Sequence, residues 1–321
     1  MESDETFLRM RRDAAEEGMI AEENVKCVAL FEKVNTLYDT AIRQRNPHFH
    51  QTEFPLILRS PSPMKRKLED RIICITGASK GIGLGCAKIC LRHGAKVAIT
   101  ARNARAPEEE LKAEGFDLQS VLFLDCDVRD AGQVEATIGR TIQHFGQLDG
   151  IINNAGWHPP PQSIEATSLQ DFEDLVRLNL TSTFLGCKYA TPHLKKTRGA
   201  IVNMSSKVGL MGQADASAYV TTKAGQIGLT KALALDLAKD GVRVNAVCPA
   251  GVLTPLVEEW AGSLDDPAAA MKMIDELHPI GRMATIEEMG EVCAFLLSDE
   301  ASFITGQAIC PDGGAGLGYR R

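Results

Sequence analysis

The chain has 321 residues, of which 44% are hydrophobic and 24% charged, with a formal net charge of −7. These values allow a sizeable core and exclude a wholly disordered chain. The acidic balance argues against a nucleic-acid partner, because nucleic-acid binders carry a basic surplus or stripe. No apolar run reaches the roughly 18 residues of a membrane span, and the acidic start MESDETFLRM lacks a signal peptide's apolar stretch. We therefore expect a soluble, cytoplasmic protein with no membrane partner.

The nine cysteines are scattered and include no CxxC pair. Several lie in apolar strand-like runs, such as IICIT and LFLDCDV, where a reduced cysteine acts as a small hydrophobic side chain. This pattern predicts a reducing compartment, no disulfide framework and no metal site. His48 and His50 form an HxH pair, but no carboxylate or thiol cluster accompanies them, so two loop histidines are the favoured interpretation.

Residues 1–63 differ in pattern from the rest of the chain. Apolar residues recur at three- and four-residue steps over about residues 24–45, which predicts one amphipathic helix. The stretch NPHFHQTEFPLILRSPSPM follows, and its prolines are typical of a linker. We expect a helical extension over 1–63 and one α/β domain over 64–321. A lone helix needs a partner surface, so it packs on the main domain, pairs with another chain or frays.

From Lys67 onward, short apolar strand patterns alternate with helical patterns. The predicted strands are at 71–76, 95–101, 121–128, 148–156, 199–206, 242–249 and 307–314. Continuous apolar runs such as RIICIT are typical of strands buried on both faces. Such runs, separated by helices, predict the α/β class: a doubly wound, seven-stranded parallel sheet, or Rossmann fold, with right-handed crossovers.

A glycine-rich turn joins the first strand to the first helix. Gly77 permits the sharp turn, Gly81 lets the backbone approach a pyrophosphate, and Gly83 allows close contact between helix and strand. The helix N-terminus offers unpaired N–H groups and a positive dipole end to the phosphates. Because this loop directly follows the first buried strand, it predicts a dinucleotide site rather than an ordinary turn. Its other members are Ser79, Lys80 and Ile82.

The end of the second strand should meet the adenosine ribose, where an acidic residue suits NAD and a basic residue suits NADP. This strand runs into Arg102, with no carboxylate. Arg102 offers a planar fork for a 2′-phosphate, and Lys80 can add a second positive charge. We therefore expect NADP, with NAD the alternative if both side chains only face solvent. Asp127 is placed to receive the adenine amino group, and Val128 to pack on the ring.

Tyr219 and Lys223 are four residues apart in a helical segment, so both project from one face. An ammonium beside a phenol lowers the pKa of the phenol. A tyrosine tuned in this way can exchange a proton with an alcohol or ketone while hydride moves to or from nicotinamide. Ser206 ends the fifth strand, and its hydroxyl can hold the substrate oxygen. A YxxxK pair alone is common, but the preceding NMSS, NNAG and glycine loop make chance a poor explanation.

In this order, the motifs resemble those of the short-chain dehydrogenase/reductase family over about residues 67–321. TGASKGIG resembles the cofactor loop of that family, and NNAG its central-strand motif. The resemblance implies a catalytic tetrad of Asn179, Ser206, Tyr219 and Lys223. It implies that Tyr219 is the general acid/base and that Lys223 lowers its pKa and holds the nicotinamide ribose. It further implies that Ser206 orients the substrate and that Asn179 anchors a water that relays protons to Lys223.

The resemblance also implies cofactor contacts outside the glycine loop. Thr254 would contact the nicotinamide carboxamide. The other matching positions are Asn153, Ala155, Gly156, Pro249 and Val252. One departure is visible, because the usual Pro-Gly pair of the family is Pro-Ala here and the glycine follows at 251. Family members usually associate through their fourth and fifth helices and their C-terminal strand region, so a homotetramer is expected.

Two sets of segments narrow the expected substrate. NNAGWHPPPQ and GGAGLGY are similar to type-14 17β-hydroxysteroid dehydrogenases, and LKKTRGAIVNMSSK with VLTPL is similar to bacterial L-fucose dehydrogenases. The resemblance implies interconversion of a secondary alcohol and its carbonyl or lactone, with an L-fucose-like sugar the leading substrate. A 3-oxoacyl-thioester reductase and a hydroxysteroid dehydrogenase are alternatives. A non-catalytic sensor of cofactor ratio is a third, which the retained tyrosine and lysine disfavour.

The substrate pocket can be placed by position in the sequence. Besides Ser206 and Tyr219, its expected members are His158, Gln213, Leu253 and Trp260. A histidine and a glutamine near the reacting oxygen suit a polyol or sugar, although Gln213 can equally brace a turn and Trp260 can simply fill the lid. Residues 252–283, before the last helix, are expected to form that mobile lid.

Overall fold

The structure, a computed structural model, describes residues 66–317. The predicted helix over 24–45, the linker with His48 and His50, and the end of the GLGY tail lie outside these residues. No helix in the described part is long and apolar enough to cross a membrane.

Seven parallel strands form one sheet, in the order β3-β2-β1-β4-β5-β6-β7. They are β1 (Ile72–Thr76), β2 (Lys96–Ala101), β3 (Val121–Asp125), β4 (Gly150–Asn153), β5 (Ala200–Met204), β6 (Arg243–Val247) and β7 (Ala308–Ile309). The predicted doubly wound α/β fold is confirmed. The last strand is shorter than predicted, because at the sheet edge it pairs only with β6.

Helices cover both faces of this sheet. The described helices are α1 (Gly81–Arg92), α2 (Glu108–Ala113), α3 (Ala131–Phe145), α4 (Leu169–Leu175), α5 (Ser182–Thr197), α6 (Val208–Met211), α7 (Ser217–Leu237), α8 (Pro255–Gly262), α9 (Pro267–Glu276) and α10 (Ile286–Leu297). A π-helical stretch, Val176–Thr181, joins α4 to α5. Such wider turns are rare and occur mostly at functional sites.

Alternation along the strands divides most of the core into two large clusters, one on each face of the sheet. Ile73 and Ile75 pack with apolar side chains of α1 and α10 on one face. Cys74, between them, packs with side chains of α3, α5 and α7 on the other. Successive side chains of a strand point to opposite faces, so a strand covered on both sides buries apolar side chains on both faces, as β1 does. Each fully buried isoleucine stabilises the fold by about 1.5–3 kcal/mol.

The carboxyl ends of the parallel strands lie at one edge of the sheet. The strand order changes direction between β1 and β4, since β2 and β3 lie on one side and β5 to β7 on the other. Open α/β sheets bind ligands at such a switch point. The glycine loop after β1 and the NNAG segment at the end of β4 meet at this point.

Candidate active site

The glycine loop is shaped by close backbone approach. Gly77 has φ +65°, and a Cβ there would lie 2.8 Å from the Cα of Ala155. A Cβ on Gly83 would overlap the carbonyl oxygen of Gly77. Lys80 is the N-cap of α1 and makes no side-chain capping bond. The first N–H groups of α1 therefore face the crevice as donors for a pyrophosphate, and the cradle fits a dinucleotide.

Asn154 braces this loop from the end of β4. Its Nδ2 donates to the carbonyls of Thr76 (2.9 Å) and Gly77 (3.1 Å), and its main-chain N–H donates to Thr76 Oγ1 (3.0 Å). The side chain of Asn153 points elsewhere, because its Nδ2 donates to Asn203 Oδ1 (2.9 Å) inside the core. Sequence analysis named the first asparagine of NNAG and missed the second, although the motif contains both.

The adenine end carries three charged side chains. Arg102 is exposed directly after β2. Arg129 binds both carboxylate oxygens of Asp127, with Nη2 at 2.6 Å and Nε at 3.0 Å. These hydrogen bonds, with a smaller contribution from the charge of Arg102, lower the pKa of Asp127 to about 2. The carboxylate of Asp127 is therefore ionised and can accept a hydrogen bond from an adenine amino group. Arg129 already binds the same carboxylate. Val128 is buried beside it.

Lys80 lies where the glycine loop faces the lid. Its Nζ is 3.5 Å from Glu259 Oε1 in α8, and both side chains are about two-thirds exposed. Such an exposed pair contributes at most about 1 kcal/mol. The pair therefore leaves the ammonium of Lys80 available to another anion.

Tyr219 and Lys223 occupy successive turns of α7 at the end of β5. The Nζ of Lys223 lies 5.6 Å from the centroid of the Tyr219 ring and donates to the carbonyl of Met204 (2.9 Å). Ser206 forms a hydrogen bond with the phenol of Tyr219. Ser205 ties β5 to α7 by donating to the main-chain oxygen of Lys223 (2.8 Å). The structure thus brings the predicted serine, tyrosine and lysine together.

The protonation of this group differs from the sequence-based expectation. Burial raises the pKa of Tyr219 to about 12, whereas the hydrogen bond with Ser206 acts in the opposite direction. Burial also lowers the pKa of Lys223 to about 8. The sequence-based expectation was that the ammonium of Lys223 lowers the pKa of the phenol; in the structure, desolvation of the phenolate is the largest effect and raises it. At neutral pH the pair is a phenol beside an ammonium.

Asn179 lies fully buried in the π-helical stretch. Its side chain holds the main chain of Trp157, accepting from N–H (2.9 Å) and donating to C=O (3.0 Å). The main-chain carbonyl of Asn179 accepts from Gln226 Nε2 (2.9 Å) and Thr183 Oγ1 (2.8 Å). Both acceptor directions of that carbonyl are therefore filled by side chains that sequence analysis did not name. Gly156 lies between Asn179 and Lys223. A Cβ on this glycine would be 3.0 Å from the Oδ1 of Asn179 and 3.8 Å from the Nζ of Lys223.

The loop after β6 approaches the same crevice. Its Pro249 carbonyl accepts from the main-chain N–H of Lys207 (2.9 Å), beside Ser206. Val252 pairs with Ala284 across an isolated bridge. A Cβ on Gly81 would lie 3.6 Å from Thr254 Cγ2, so this threonine packs against the glycine loop. The predicted cofactor residues from three loops thus lie around one crevice.

The substrate side contains the predicted histidine and glutamine. The ring centroid of His158 lies 4.1 Å from that of Tyr219. His158 Nε2 is 3.3 Å from Gln213 Oε1, so the two side chains form a polar pair beside the phenol. Leu253 is 43% exposed on the loop before α8, and Trp260 lies partly buried within α8. The predicted lid therefore consists of α8 and α9 with their flanking loops.

No group of three or more His, Cys, Asp or Glu side chains within residues 66–317 is arranged to hold a metal ion. The eight cysteines in this range are free thiols, and all but Cys310 are buried. The chemistry of the crevice is therefore that of a dinucleotide cradle beside a phenol, a hydroxyl and a buried ammonium.

A nucleotide cradle at the switch point and a proton-exchanging phenol beside it define a dinucleotide-dependent oxidoreductase. The profile of a family described as enoyl-(acyl carrier protein) reductase matches residues 77–316. The L-fucose dehydrogenase of Bos taurus is 42% identical over 258 residues, which are 80% of this chain and 94% of that protein.

Two solved structures are also similar. Cj0485 dehydrogenase has a TM-score of 0.75 and 36% identity, covering 80% of this chain and 98% of that one. The aldohexose dehydrogenase of Thermoplasma acidophilum has a TM-score of 0.71 and 34% identity, covering 79% and 97%. The chain belongs to the short-chain dehydrogenase/reductase family. It is an NAD(P)-dependent oxidoreductase that interconverts a secondary alcohol and its carbonyl.

Ser206→Ala should raise the pKa of Tyr219, because the hydrogen bond with Ser206 lowers it. With Tyr219 as the expected base in alcohol oxidation, the profile of kcat/KM should move to higher pH. The oxidation rate at neutral pH should fall about tenfold for each unit of that shift. A pH profile of kcat/KM measures it, with Ser302→Ala, at an exposed serine, as the control. An unmoved profile would contradict the assignment.

Proposed function

We propose that the protein oxidises a secondary hydroxyl of an L-fucose-like sugar with NADP, and that Tyr219 is the general base. The polar pair of His158 and Gln213 beside the phenol of Tyr219 carries this proposal. Polar side chains next to the reacting oxygen suit a substrate with several hydroxyls, since an apolar wall would leave those hydroxyls unpaired. The similarity to an L-fucose dehydrogenase and an aldohexose dehydrogenase supports the same class.

In the proposed reaction, the hydroxyls of Ser206 and Tyr219 hold the substrate oxygen. Tyr219 accepts the hydroxyl proton as the substrate carbon loses hydride, and it returns a proton in the reverse direction. The bound dinucleotide supplies the hydride acceptor or donor. The ammonium of Lys223 favours the phenolate, and Asn179 fixes the loop that carries Gly156 next to that ammonium.

The remaining proposed contacts are made with the cofactor. The glycine loop with Ser79, Lys80 and Ile82 would bind the pyrophosphate. Asp127 and Val128 would receive the adenine, and Pro249, Val252 and Thr254 would flank the nicotinamide. Main-chain groups of Asn153 and Ala155 would line the crevice between them. Leu253 and Trp260 would cover the substrate from the lid.

Arg102→Asp should shift cofactor preference from NADP towards NAD. A carboxylate repels a 2′-phosphate and accepts from a 2′-hydroxyl, whereas the guanidinium binds the phosphate. Charged hydrogen bonds are each worth about 1.5–3 kcal/mol, so the ratio of kcat/KM values for NADP and NAD should fall at least tenfold. Arg105→Asp is the control, because that side chain pairs with Glu108 instead. An unchanged ratio would reject the 2′-phosphate assignment.

A substrate panel tests the proposed function directly. We expect turnover of L-fucose and related aldoses with NADP, and the absorbance of the reduced cofactor measures this turnover. A 17β-hydroxysteroid and a 3-oxoacyl thioester represent the alternatives, and the family description favours trying the thioester. A higher kcat/KM for either of these than for every sugar would reject the sugar assignment.

We also propose a homotetramer in a reducing cytoplasm. Phe184 of α5 and Leu235 of α7 are 47% and 81% exposed, and such apolar side chains are typical of helices that pair with another subunit. The buried free thiols support a reducing compartment. We propose further that residues 64–321 form the catalytic domain and that residues 1–63 are an extension; the family match over 77–316 supports this division.

A further inference from the structure

The loop after β6 departs from the family pattern, and packing against Gly251 explains the departure. A Cβ on this residue would lie 2.7 Å from His278 Cε1, 2.8 Å from Ile274 Cγ2 and 3.0 Å from Met283 Cγ. Side chains from α9 and the segment after it therefore occupy the space that a side chain would need. The glycine stands at 251 because these groups, foremost the imidazole, press on its backbone.

His278 also binds this backbone through its ring. It is only 3% exposed, and its Nε2 accepts from the main-chain N–H of Gly251 (3.0 Å). The Nδ1 lies 2.9 Å from the carbonyl of Ile274, in the last turn of α9. An N–H donor on one side and a carbonyl on the other assign the neutral tautomer with its proton on Nδ1. Both nitrogens are satisfied, so this histidine links α9 to the loop and has no nitrogen left for reaction.

The residues after Gly251 are held by a second set of main-chain hydrogen bonds. The carbonyl of Gly251 accepts from Ala284 N–H (3.1 Å), and Leu253 N–H donates to Ala284 O (2.9 Å). One residue further on, the methyl group of Thr254 packs at the glycine loop. The position of the nicotinamide-end loop, residues 249–254, is therefore set by His278 on one side and by Ala284 on the other.

We propose that His278 is a positioning residue for the nicotinamide end of the cofactor site. It holds residues 249–254 in place through Gly251, and it ties that loop to α9 of the lid. Cofactor affinity and lid position are thereby coupled through one buried imidazole. This inference rests on the proposed function, since it takes Thr254 as a neighbour of the nicotinamide.

His278→Ala should raise the Kd of NADPH about tenfold, as expected when one buried hydrogen bond is lost. The Kd of 2′-phospho-ADP-ribose, which lacks nicotinamide, should change less than about twofold. His278→Gln can accept from Gly251 and donate to Ile274, so it should restore most of the NADPH affinity. His144→Ala, on the exposed side of α3, is the control and should leave both ligands unaffected.

Both ligands are titrated by fluorescence on the full chain, with melting temperatures measured in parallel. Equal weakening of the two ligands in His278→Ala would overturn the proposal, because it would mean a general loss of structure. An unchanged Kd for NADPH would overturn it too. If His278→Ala does not fold, a His278→Gln variant that binds the fragment normally but NADPH at least tenfold more weakly would contradict the assigned hydrogen bonds. Failure of the wild type to bind NADPH would instead reject the proposed cofactor.

Discussion

Tyr219→Phe should lower kcat about 10³-fold while dinucleotide affinity stays within about twofold. General acid–base groups contribute about 10²–10⁴-fold to a rate, and we propose the hydroxyl next to Ser206 as the group that exchanges the proton. The substituted ring keeps its place against His158, whose centroid lies 4.1 Å away. The substitution should therefore lower turnover without destabilising the fold.

Initial rates from the absorbance of the reduced cofactor, together with the Kd for NADPH, separate these effects. Tyr189→Phe is the control, because it removes the hydroxyl of a different tyrosine, whose ring lies on α5 and packs on the core. Residual turnover above about a tenth of the wild-type rate would reject the phenol as the acid/base.

Lys223→Met should abolish most activity and stabilise the fold. Lys223 is 5% exposed, and burial lowers the pKa of its ammonium from 10.5 to about 8. This shift means that burying the charge costs about 3 kcal/mol at neutral pH. Losing the hydrogen bond to Met204 takes back about 1 kcal/mol, so the variant should gain about 2 kcal/mol in the free energy of unfolding. Activity should fall at least 10²-fold because the phenolate loses its neighbouring cation.

The pH dependence of stability supplies an independent check on Lys223. Between the folded pKa near 8 and the ordinary 10.5, the unfolded chain binds more protons than the folded one. Lys223 therefore contributes a rise in the free energy of unfolding through this range, whereas buried thiols with raised pKa values, such as Cys74, contribute a fall. The free energy of unfolding of the wild type minus that of Lys223→Met should accordingly rise with pH. Denaturant titrations at several pH values measure the difference. Lys231→Met, exposed two turns further along α7, should show neither effect, and a destabilised Lys223→Met would contradict the argument.

Local sequence patterns were sufficient to predict the parallel sheet and to identify the motifs in their order along the chain. The apolar runs identified β1 to β6, because a strand buried on both faces is mostly apolar, even where a buried asparagine such as Asn203 or Asn245 interrupts it. The glycine loop was equally readable, since Gly77 and Gly83 lie where backbone atoms approach too closely for any side chain. The spacing of Tyr219 and Lys223 placed them on one helix face without reference to any other element.

Contacts between segments that are distant in the sequence could not be predicted from local patterns. The pKa of Tyr219 depends on how many atoms displace water around its ring, and spacing along α7 says nothing of that. Gln226 and Thr183 bind the carbonyl of Asn179 from different helices, and no local motif marks either of them.

The sequence by itself determined the class of fold, and it predicted the cofactor loop and the candidate reacting groups, because each follows from residues close together in the chain. Tertiary structure decided the protonation of the tyrosine and lysine, the role of Asn154, and the contact between His278 and Gly251. The last pair is separated by 27 residues and meets only because α8 and α9 fold back over the end of β6. Desolvation and long-range contact belong to the packed molecule, and they are set by which surfaces meet.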